Sequence, residues 1–159
     1  MNVNRKLAEL FWELAFATEY LGDDPFKARA YRHISEVLWD FPEDISQVYK
    51  EGGIEALKGI EGVGEAIAKK IAEYLETGKI KKHEELVSQL PPGALELGEV
   101  KGLGPKLVRR LQETLGLRGI DDLKKAIETG EIYKVPGFGK KKVEAIKRAL
   151  EALERGEGC

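Results

Sequence analysis

The feature that most restricts the fold of this 159-residue chain is a five-residue pattern that occurs three times. The pattern is an apolar residue, any residue, glycine, an apolar residue and glycine. Its copies are Ile60–Gly64, Val100–Gly104 and Val135–Gly139. A small or β-branched apolar residue follows each second glycine by four positions, and an apolar residue comes three positions later. A repeat in register with helical periodicity indicates a repeated helical unit.

Each copy is typical of a tight reversal between two helices. Glycine reaches backbone conformations that a Cβ atom forbids, so a chain can turn there within a few residues. The apolar residue between the glycines fills the gap between the helices. The N–H groups that begin the second helix then point outward, where the helix dipole favours an anion. This is the helix-hairpin-helix motif, and it predicts phosphate contacts without base readout.

The predicted phosphate-binding residues are the paired glycines and basic residues of the second and third hairpins. They are Gly62, Gly64, Gly102, Gly104, Lys106, Arg109, Gly137, Gly139, Lys140 and Lys141. Glu65 follows the first hairpin and would repel a phosphate unless nearby lysines, among them Lys58, outweigh it. The alternative is that the hairpins only pack helices, in a non-catalytic interaction scaffold.

The rest of the sequence also has helical periodicity, and no stretch alternates with the period of a strand. We therefore expect an all-α fold of multiple short helices, forming two small helical subdomains with three helix-hairpin-helix motifs. The clearest break is Pro91-Pro92-Gly93, which predicts domains over 1–90 and 91–159. The predicted helices cover about residues 4–21, 25–41, 43–51, 54–57, 64–77, 82–90, 105–115, 121–129 and 140–155. On the second of these, the predicted apolar face consists of Phe26, Ala30, Ile34, Val37, Leu38 and Phe41.

Charge and cysteine content narrow the function classes. The 26 Lys and Arg residues against 28 Asp and Glu residues give a net charge of −2, which argues against coating nucleic acid through charge alone. Residues 1–100 carry a net charge of −7, and residues 101–159 carry +5. The single cysteine, Cys159, excludes an intrachain disulfide or a cysteine-built zinc site. No secretory signal or membrane span is visible, so a cytoplasmic location without a membrane partner is expected.

Together these motifs resemble the N-terminal part of a family X DNA polymerase. The stretches that carry the resemblance are Gly22–Arg32, Gly62–Ile71, Thr77–Lys79, Gly102–Pro105 and Val135–Gly139. The resemblance implies that family's lyase-type domain and adjoining helical DNA-binding subdomain, and a role in DNA repair on gapped, nicked or single-stranded DNA. The family's polymerase chemistry lies in a later palm domain. Polymerisation by this chain alone is therefore not expected, whether it is part of a longer polymerase or free-standing.

The same resemblance implies a candidate enzyme activity. In several members the N-terminal domain removes a 5′-deoxyribose phosphate by β-elimination through a lysine Schiff base, and that lysine falls on Lys70. Lys27, Tyr31, Lys58 and Lys82 fall where the family shapes a pocket for the 5′ phosphate. From the residues alone, a solvated helix lysine is the favoured interpretation of Lys70.

The resemblance further implies a monovalent cation, potassium or sodium, held by hairpin carbonyls together with a DNA phosphate. The matching carbonyls belong to Lys58, Ile60 and Val63 in the first hairpin and to Gly98, Val100 and Leu103 in the second. No other cofactor is expected. DNA is the expected partner, other repair proteins are further candidates, and the chain is expected to be a monomer.

Overall fold

A computed structural model describes residues 2–156, and within that range the chain is helical without a strand. The predicted all-α fold is therefore confirmed. The α-helices are α1 (Val3–Tyr20), α2 (Pro25–Trp39), α3 (Ile45–Lys58), α4 (Glu65–Thr77), α5 (Lys81–Val87), α6 (Ala94–Gly98), α7 (Pro105–Leu115), α8 (Ile120–Thr129) and α9 (Lys140–Glu154), with a 3₁₀ turn at Glu131–Lys134. None of these helices is both long enough and apolar enough to cross a bilayer. Cys159 lies outside the described residues.

The chain divides into two compact units, one ending at Gln89 and the other beginning at Leu90. In the first unit, α1 packs along α2 and against α5, and α3 packs on α4. Phe11 of α1 and Ile34 of α2 are fully buried in this core. The start of α2 is fixed by Asp24, whose carboxylate accepts a 2.8 Å hydrogen bond from the N–H of Phe26.

The buried face of α2 differs from the predicted one. Phe26 is 73% exposed and Ala30 is exposed, whereas Ala28 and Tyr31 are buried beside Ile34. Because the helix begins at Pro25, Phe26 lies in its first turn, where its ring projects past the core. The Arg29 guanidinium covers that ring, 4.7 Å from its centroid.

A buried asparagine fastens the loop between α2 and α3 to α1. The side-chain amide of Asn4 donates to the carbonyls of Phe41 at 3.2 Å and Glu43 at 2.6 Å. Its amide oxygen accepts from the N–H of Ile45 at 2.9 Å. All three bonds join α1 to residues 37 or more positions away, so Asn4 sets where α3 begins.

Helix α3 bends at Gly53, whose φ of 66° and ψ of −157° interrupt the helical backbone. The break predicted at Gly52-Gly53 is therefore present, and the turn from Ile54 to Lys58 forms the first helix of the first hairpin. The second unit uses equally short elements for this purpose. Helix α6 precedes the second hairpin, and the 3₁₀ turn at Glu131–Lys134 precedes the third. Sequence periodicity did not indicate either element because each is only about one turn long.

Candidate nucleic-acid interface

The three hairpins share one backbone geometry. Gly62, Gly102 and Gly137 have φ values of 81°, 97° and 95°, in the left-handed region that favours glycine. The residue after each of these glycines is buried, and its N–H donates to the carbonyl three positions earlier, at 3.0, 3.0 and 3.2 Å along the series. The repeat therefore forms the same turn in all three places.

The second glycine of each hairpin has a different status. Gly64, Gly104 and Gly139 have φ values of −96°, −79° and −90°, which any residue can adopt. Apart from its own neighbours in the chain, a Cβ atom built on any of them would meet no atom of the described residues within 4 Å. Neither the backbone nor the packing of the described residues requires glycine there. What a Cβ would fill is open space at the start of α4, α7 and α9.

The helices that follow the hairpins begin without a side-chain cap. Within residues 2–156 no side-chain cap bond is present at the start of α4, α7 or α9, whereas Asp24 and Asp44 cap α2 and α3. The first-turn N–H groups of a helix have no partner inside the helix, so these donors remain available to an outside anion. Pro105 lacks an N–H, which leaves the second hairpin with one donor fewer.

The first hairpin is bordered by carboxylates. The ammonium of Lys58 lies 3.4 Å from carboxylate oxygens of both Glu55 and Glu65. Both carboxylates raise the pKa of Lys58, and the hydrogen bond to Glu65 has the largest effect. Glu61 in the loop lies 3.1 Å from the imidazole of His33. Lys58, predicted as a phosphate ligand, is thus held between two acidic side chains.

The second and third hairpins are bordered by basic residues. Lys106, Lys140 and Lys141 are exposed in the first turns of α7 and α9. Arg109 pairs with Glu113 at 3.2 Å. Arg110 has a structural role that the sequence did not indicate, since its guanidinium donates to the carbonyl of Pro136 at 2.9 Å and ties α7 to the third loop.

A separate lysine cluster forms in the first unit. The ammonium of Lys70 on α4 lies 5.9 Å from the centroid of the Tyr31 ring on α2. Burial lowers the pKa of Lys70, the charges of Lys82 and Lys27 lower it further, and Glu73 opposes them. The fold thus gathers four of the five residues predicted for the lyase pocket, whereas Lys58 is not among the charges acting on Lys70.

Tyr31 forms one wall of this cluster. It is 6% exposed, and its ring packs 6.0 Å from that of Phe11. Burial raises the pKa of the Tyr31 hydroxyl, and the charge of Asp23 raises it further. The hydroxyl therefore stays protonated at neutral pH and can donate a hydrogen bond.

The hairpin carbonyls predicted for a monovalent cation have suitable chemistry. The carbonyls of Ile60 and Val100 each accept one hydrogen bond, from Val63 and Leu103, at 3.0 Å. A carbonyl oxygen has two lone pairs, so each can still ligate a hard cation. Among the described residues there is no cluster of three or more His, Cys, Asp or Glu side chains suited to a metal ion.

Comparison with known proteins gives matches over most of the chain. A helix-hairpin-helix domain family matches residues 2–80, and a SAM-like helix-hairpin-helix tandem matches residues 94–152. The chain is 30% identical over 146 residues to the DNA polymerase/3′-5′ exonuclease PolX of Bacillus subtilis (strain 168), covering 92% of this chain and 25% of that protein. It is 33% identical over 124 residues to DNA polymerase lambda of Arabidopsis thaliana, covering 77% of this chain and 22% of that protein.

The chain spans about a quarter of the length of these two relatives. Both relatives are DNA polymerases by name, and the stretches that carry the resemblance all lie within the two matched ranges. The chain therefore belongs to the helix-hairpin-helix proteins and corresponds to the N-terminal region of the family X DNA polymerases.

Proposed function

We propose that this chain binds DNA through its sugar-phosphate backbone, without base readout, at gapped, nicked or single-stranded sites in repair. The observation that carries the proposal is the repeated hairpin. In each copy the second glycine faces open space, and the helix that follows it has no side-chain cap among the described residues. Backbone N–H groups and the helix dipole hold a phosphate without regard to sequence.

The charge distribution supports this mode of binding. With a net charge of −2 the chain has no general attraction for DNA, so affinity must come from placed groups. The exposed lysines at the start of α7 and α9 lie next to the uncapped N–H groups. A phosphate that binds to a lysine and the neighbouring N–H groups releases its counterions. Because of this release, binding should weaken as the salt concentration rises.

Fluorescence anisotropy with a labelled gapped oligonucleotide tests the proposal across a salt series. We expect Lys140→Glu with Lys141→Glu to weaken binding at least tenfold at low salt. Lys125→Glu is the matched control, because Lys125 is an exposed lysine of α8, which no hairpin precedes. Absence of binding at low salt would contradict the proposal and favour a helical scaffold.

A second candidate function rests on the Lys70 cluster. The neutral amine of Lys70 would attack the aldehyde carbon of an abasic sugar and lose water to form a Schiff base. Loss of a C2′ proton to solvent water then breaks the C3′–O bond, and the downstream strand leaves with its 5′ phosphate. Hydrolysis of the imine returns the amine. The lowered pKa of Lys70 supports this role because it increases the neutral fraction at neutral pH.

Borohydride reduction of that Schiff base leaves a covalent adduct. Incubation with a 5′-deoxyribose-phosphate oligonucleotide should therefore give an adduct in the wild type and none in Lys70→Ala. Lys69→Ala is the matched control, since Lys69 is the exposed neighbour of Lys70 on α4. An adduct that persists in Lys70→Ala would remove Lys70 as the nucleophile.

We also propose that potassium or sodium joins the DNA to the first two hairpins. Each hairpin would hold its own cation, the first through the carbonyls of Lys58, Ile60 and Val63 and the second through those of Gly98, Val100 and Leu103, with a DNA phosphate completing each site. The cation of the first hairpin would neutralise part of the phosphate charge next to Glu65. Replacing potassium by tetramethylammonium at constant ionic strength should then weaken DNA binding, since that ion is too large to be ligated by the carbonyls.

A further inference from the structure

Tyr133 is one of three large apolar side chains that are exposed among the described residues. It is 48% exposed, beside Phe26 at 73% and Trp39 at 39%. An arginine guanidinium covers each of the other two rings, Arg29 over Phe26 and Arg5 over Trp39. Within residues 2–156 no cation lies over the Tyr133 ring. Of these three exposed rings, Tyr133 is therefore the one that no cation of the described residues covers.

The backbone around Tyr133 is anchored on both sides. Ile132 is fully buried and Val135 is 2% exposed, so the residues that flank Tyr133 and Lys134 are fixed in the core. The N–H of Tyr133 donates to the carbonyl of Gly130 at 3.2 Å, and that of Val135 donates to the carbonyl of Ile132 at 3.1 Å. The turn therefore presents the Tyr133 ring from a rigid base, which reduces the entropy lost when the ring binds.

The surroundings of Tyr133 favour a nucleic acid as the occupant. The turn leads directly into the third hairpin, and the guanidinium of Arg110 holds that loop at the carbonyl of Pro136. Lys134, Lys140 and Lys141 are exposed on this stretch, against the single carboxylate of Glu131. An exposed aromatic ring on the same stretch of chain as exposed lysines is the combination that binds single-stranded DNA, because bases stack on the ring while cations hold the phosphates.

We propose that Tyr133 stacks on an unpaired base of the strand whose phosphate the third hairpin holds. The inference rests on the proposed DNA binding and adds a substrate preference to it. Bases in an intact duplex already stack on their neighbours, whereas the bases of a gap are free to stack on the ring. Tyr133 therefore favours single-stranded and gapped DNA over continuous duplex.

The test compares three DNAs of one sequence, as duplex, gapped duplex and single strand, with Tyr133→Leu, Tyr133→Phe and Lys140→Glu. Leucine keeps the apolar bulk but lacks the flat ring, so it should weaken binding to gapped and single-stranded DNA about tenfold and leave duplex binding unchanged. Phenylalanine keeps the ring and should bind all three as the wild type does. Lys140→Glu removes a phosphate contact and should weaken binding to all three.

Tyr133→Leu that binds all three DNAs like the wild type, or loses affinity for all three equally, would overturn the stacking role. In either case the loss in Lys140→Glu would leave the proposed DNA binding in place. A wild type that binds none of the three would instead contradict the proposed function itself. Circular dichroism melting checks that Tyr133→Leu is folded, and a cooperative transition like that of the wild type is expected because the side chain is exposed.

Discussion

The ammonium of Lys58 lies 3.4 Å from a carboxylate oxygen of Glu65, the first residue of the helix that follows the first hairpin. A carboxylate at this position occupies the end of the helix where an anion is favoured, and it holds a lysine that a phosphate could otherwise use. The second and third hairpins have Pro105 and Lys140 in the same position. The first hairpin therefore has the least favourable charge for a phosphate.

Replacing this carboxylate should strengthen DNA binding. Glu65→Gln removes a negative charge from the start of α4 and releases Lys58 from one of its two partners. We expect a severalfold gain in affinity. The plot of log affinity against log salt concentration should also become steeper by about one unit, the amount that one added phosphate contact contributes. Anisotropy across a salt series measures both quantities.

The control for this prediction is a double-mutant cycle. Lys58→Ala alone should change affinity little, because Lys58 is engaged by Glu55 and Glu65, but in the Glu65→Gln background it should remove the gain. A loss in Lys58→Ala as large as that in Lys140→Glu would show that Lys58 already contacts DNA in the wild type.

The two glycines of a hairpin should respond differently to alanine. Gly104→Ala and Gly139→Ala introduce a Cβ that meets no atom of residues 2–156 within 4 Å beyond its chain neighbours, so stability should change by less than about 1 kcal/mol. The same Cβ would displace a phosphate from the helix start, and DNA affinity should fall about tenfold, as for one lost charge-assisted hydrogen bond. Anisotropy and urea unfolding of the same variants separate the two effects.

Alanine at the first glycine is the matched comparison. Gly102 has a φ of 97°, where a Cβ is strained, so Gly102→Ala should destabilise the second unit by about 1–2 kcal/mol. Gly139→Ala that unfolds as readily as Gly102→Ala, with unchanged DNA binding of the folded fraction, would mean that the second glycines serve only the fold.

The pH profile of Schiff-base trapping should report the charges around Lys70. The neutral fraction of a lysine rises with pH, so the trapping rate should rise as pH approaches the pKa of Lys70, which lies below its ordinary value. Lys82→Gln removes a charge that lowers this pKa, so the profile should move to higher pH. Rates are measured at saturating substrate, because Lys82 could also bind the phosphate.

Lys81→Gln is the control for the pH profile. Lys81 is an exposed lysine beside Lys82 on α5 and is not among the charges that act on Lys70. Its profile should match that of the wild type. Equal profiles for Lys81→Gln and Lys82→Gln would indicate that the Lys82 charge does not reach the reacting amine.

Asn4 should contribute more to stability than its position near the chain start suggests. Asn4→Ala leaves two carbonyls and the N–H of Ile45 without their partner, so we expect a loss of about 2–3 kcal/mol in the free energy of unfolding. Asn2→Ala is the comparison, since it removes one exposed cap from α1 and should cost about 1 kcal/mol. Urea unfolding followed by circular dichroism measures both. Equal losses would mean that the loop between α2 and α3 is held by other contacts.

The sequence predicted the elements whose signals are local. The helix start at Asp24-Pro25, the break at Gly52-Gly53 and the three hairpins follow from the conformational preferences of single residues, and the structure has all of them. On α2 the burial of Ile34 and Leu38 was predicted correctly, but that of Phe26 and Ala30 was predicted wrongly, because periodicity alone does not decide where a core ends. Phe26 fits the apolar pattern, yet it lies beyond the packed face.

Long-range contacts account for what the sequence could not predict at the site. The pairing of Glu61 with His33 and the bond from Arg110 to Pro136 join residues 28 and 26 positions apart, and neither follows from a motif. The sequence also could not predict that the Tyr133 ring is left uncovered, because this depends on which aromatic rings the arginine side chains contact. By contrast, the approach of Lys70 to Tyr31 was implied by the family resemblance, which carries three-dimensional information that spacing alone lacks.

The claim that the hairpins bind phosphates through main-chain N–H groups is tested most directly by measuring those amides during DNA binding. Nuclear magnetic resonance of ¹⁵N-labelled protein, titrated with gapped DNA, reports each N–H separately. We predict that the amide protons of residues 106–107 and 140–142 shift downfield as phosphates accept hydrogen bonds from them, while the amides of α8 stay in place. Saturable DNA binding with no shift at residues 106–107 and 140–142 would contradict the claim that the hairpins hold the strand through their main chain.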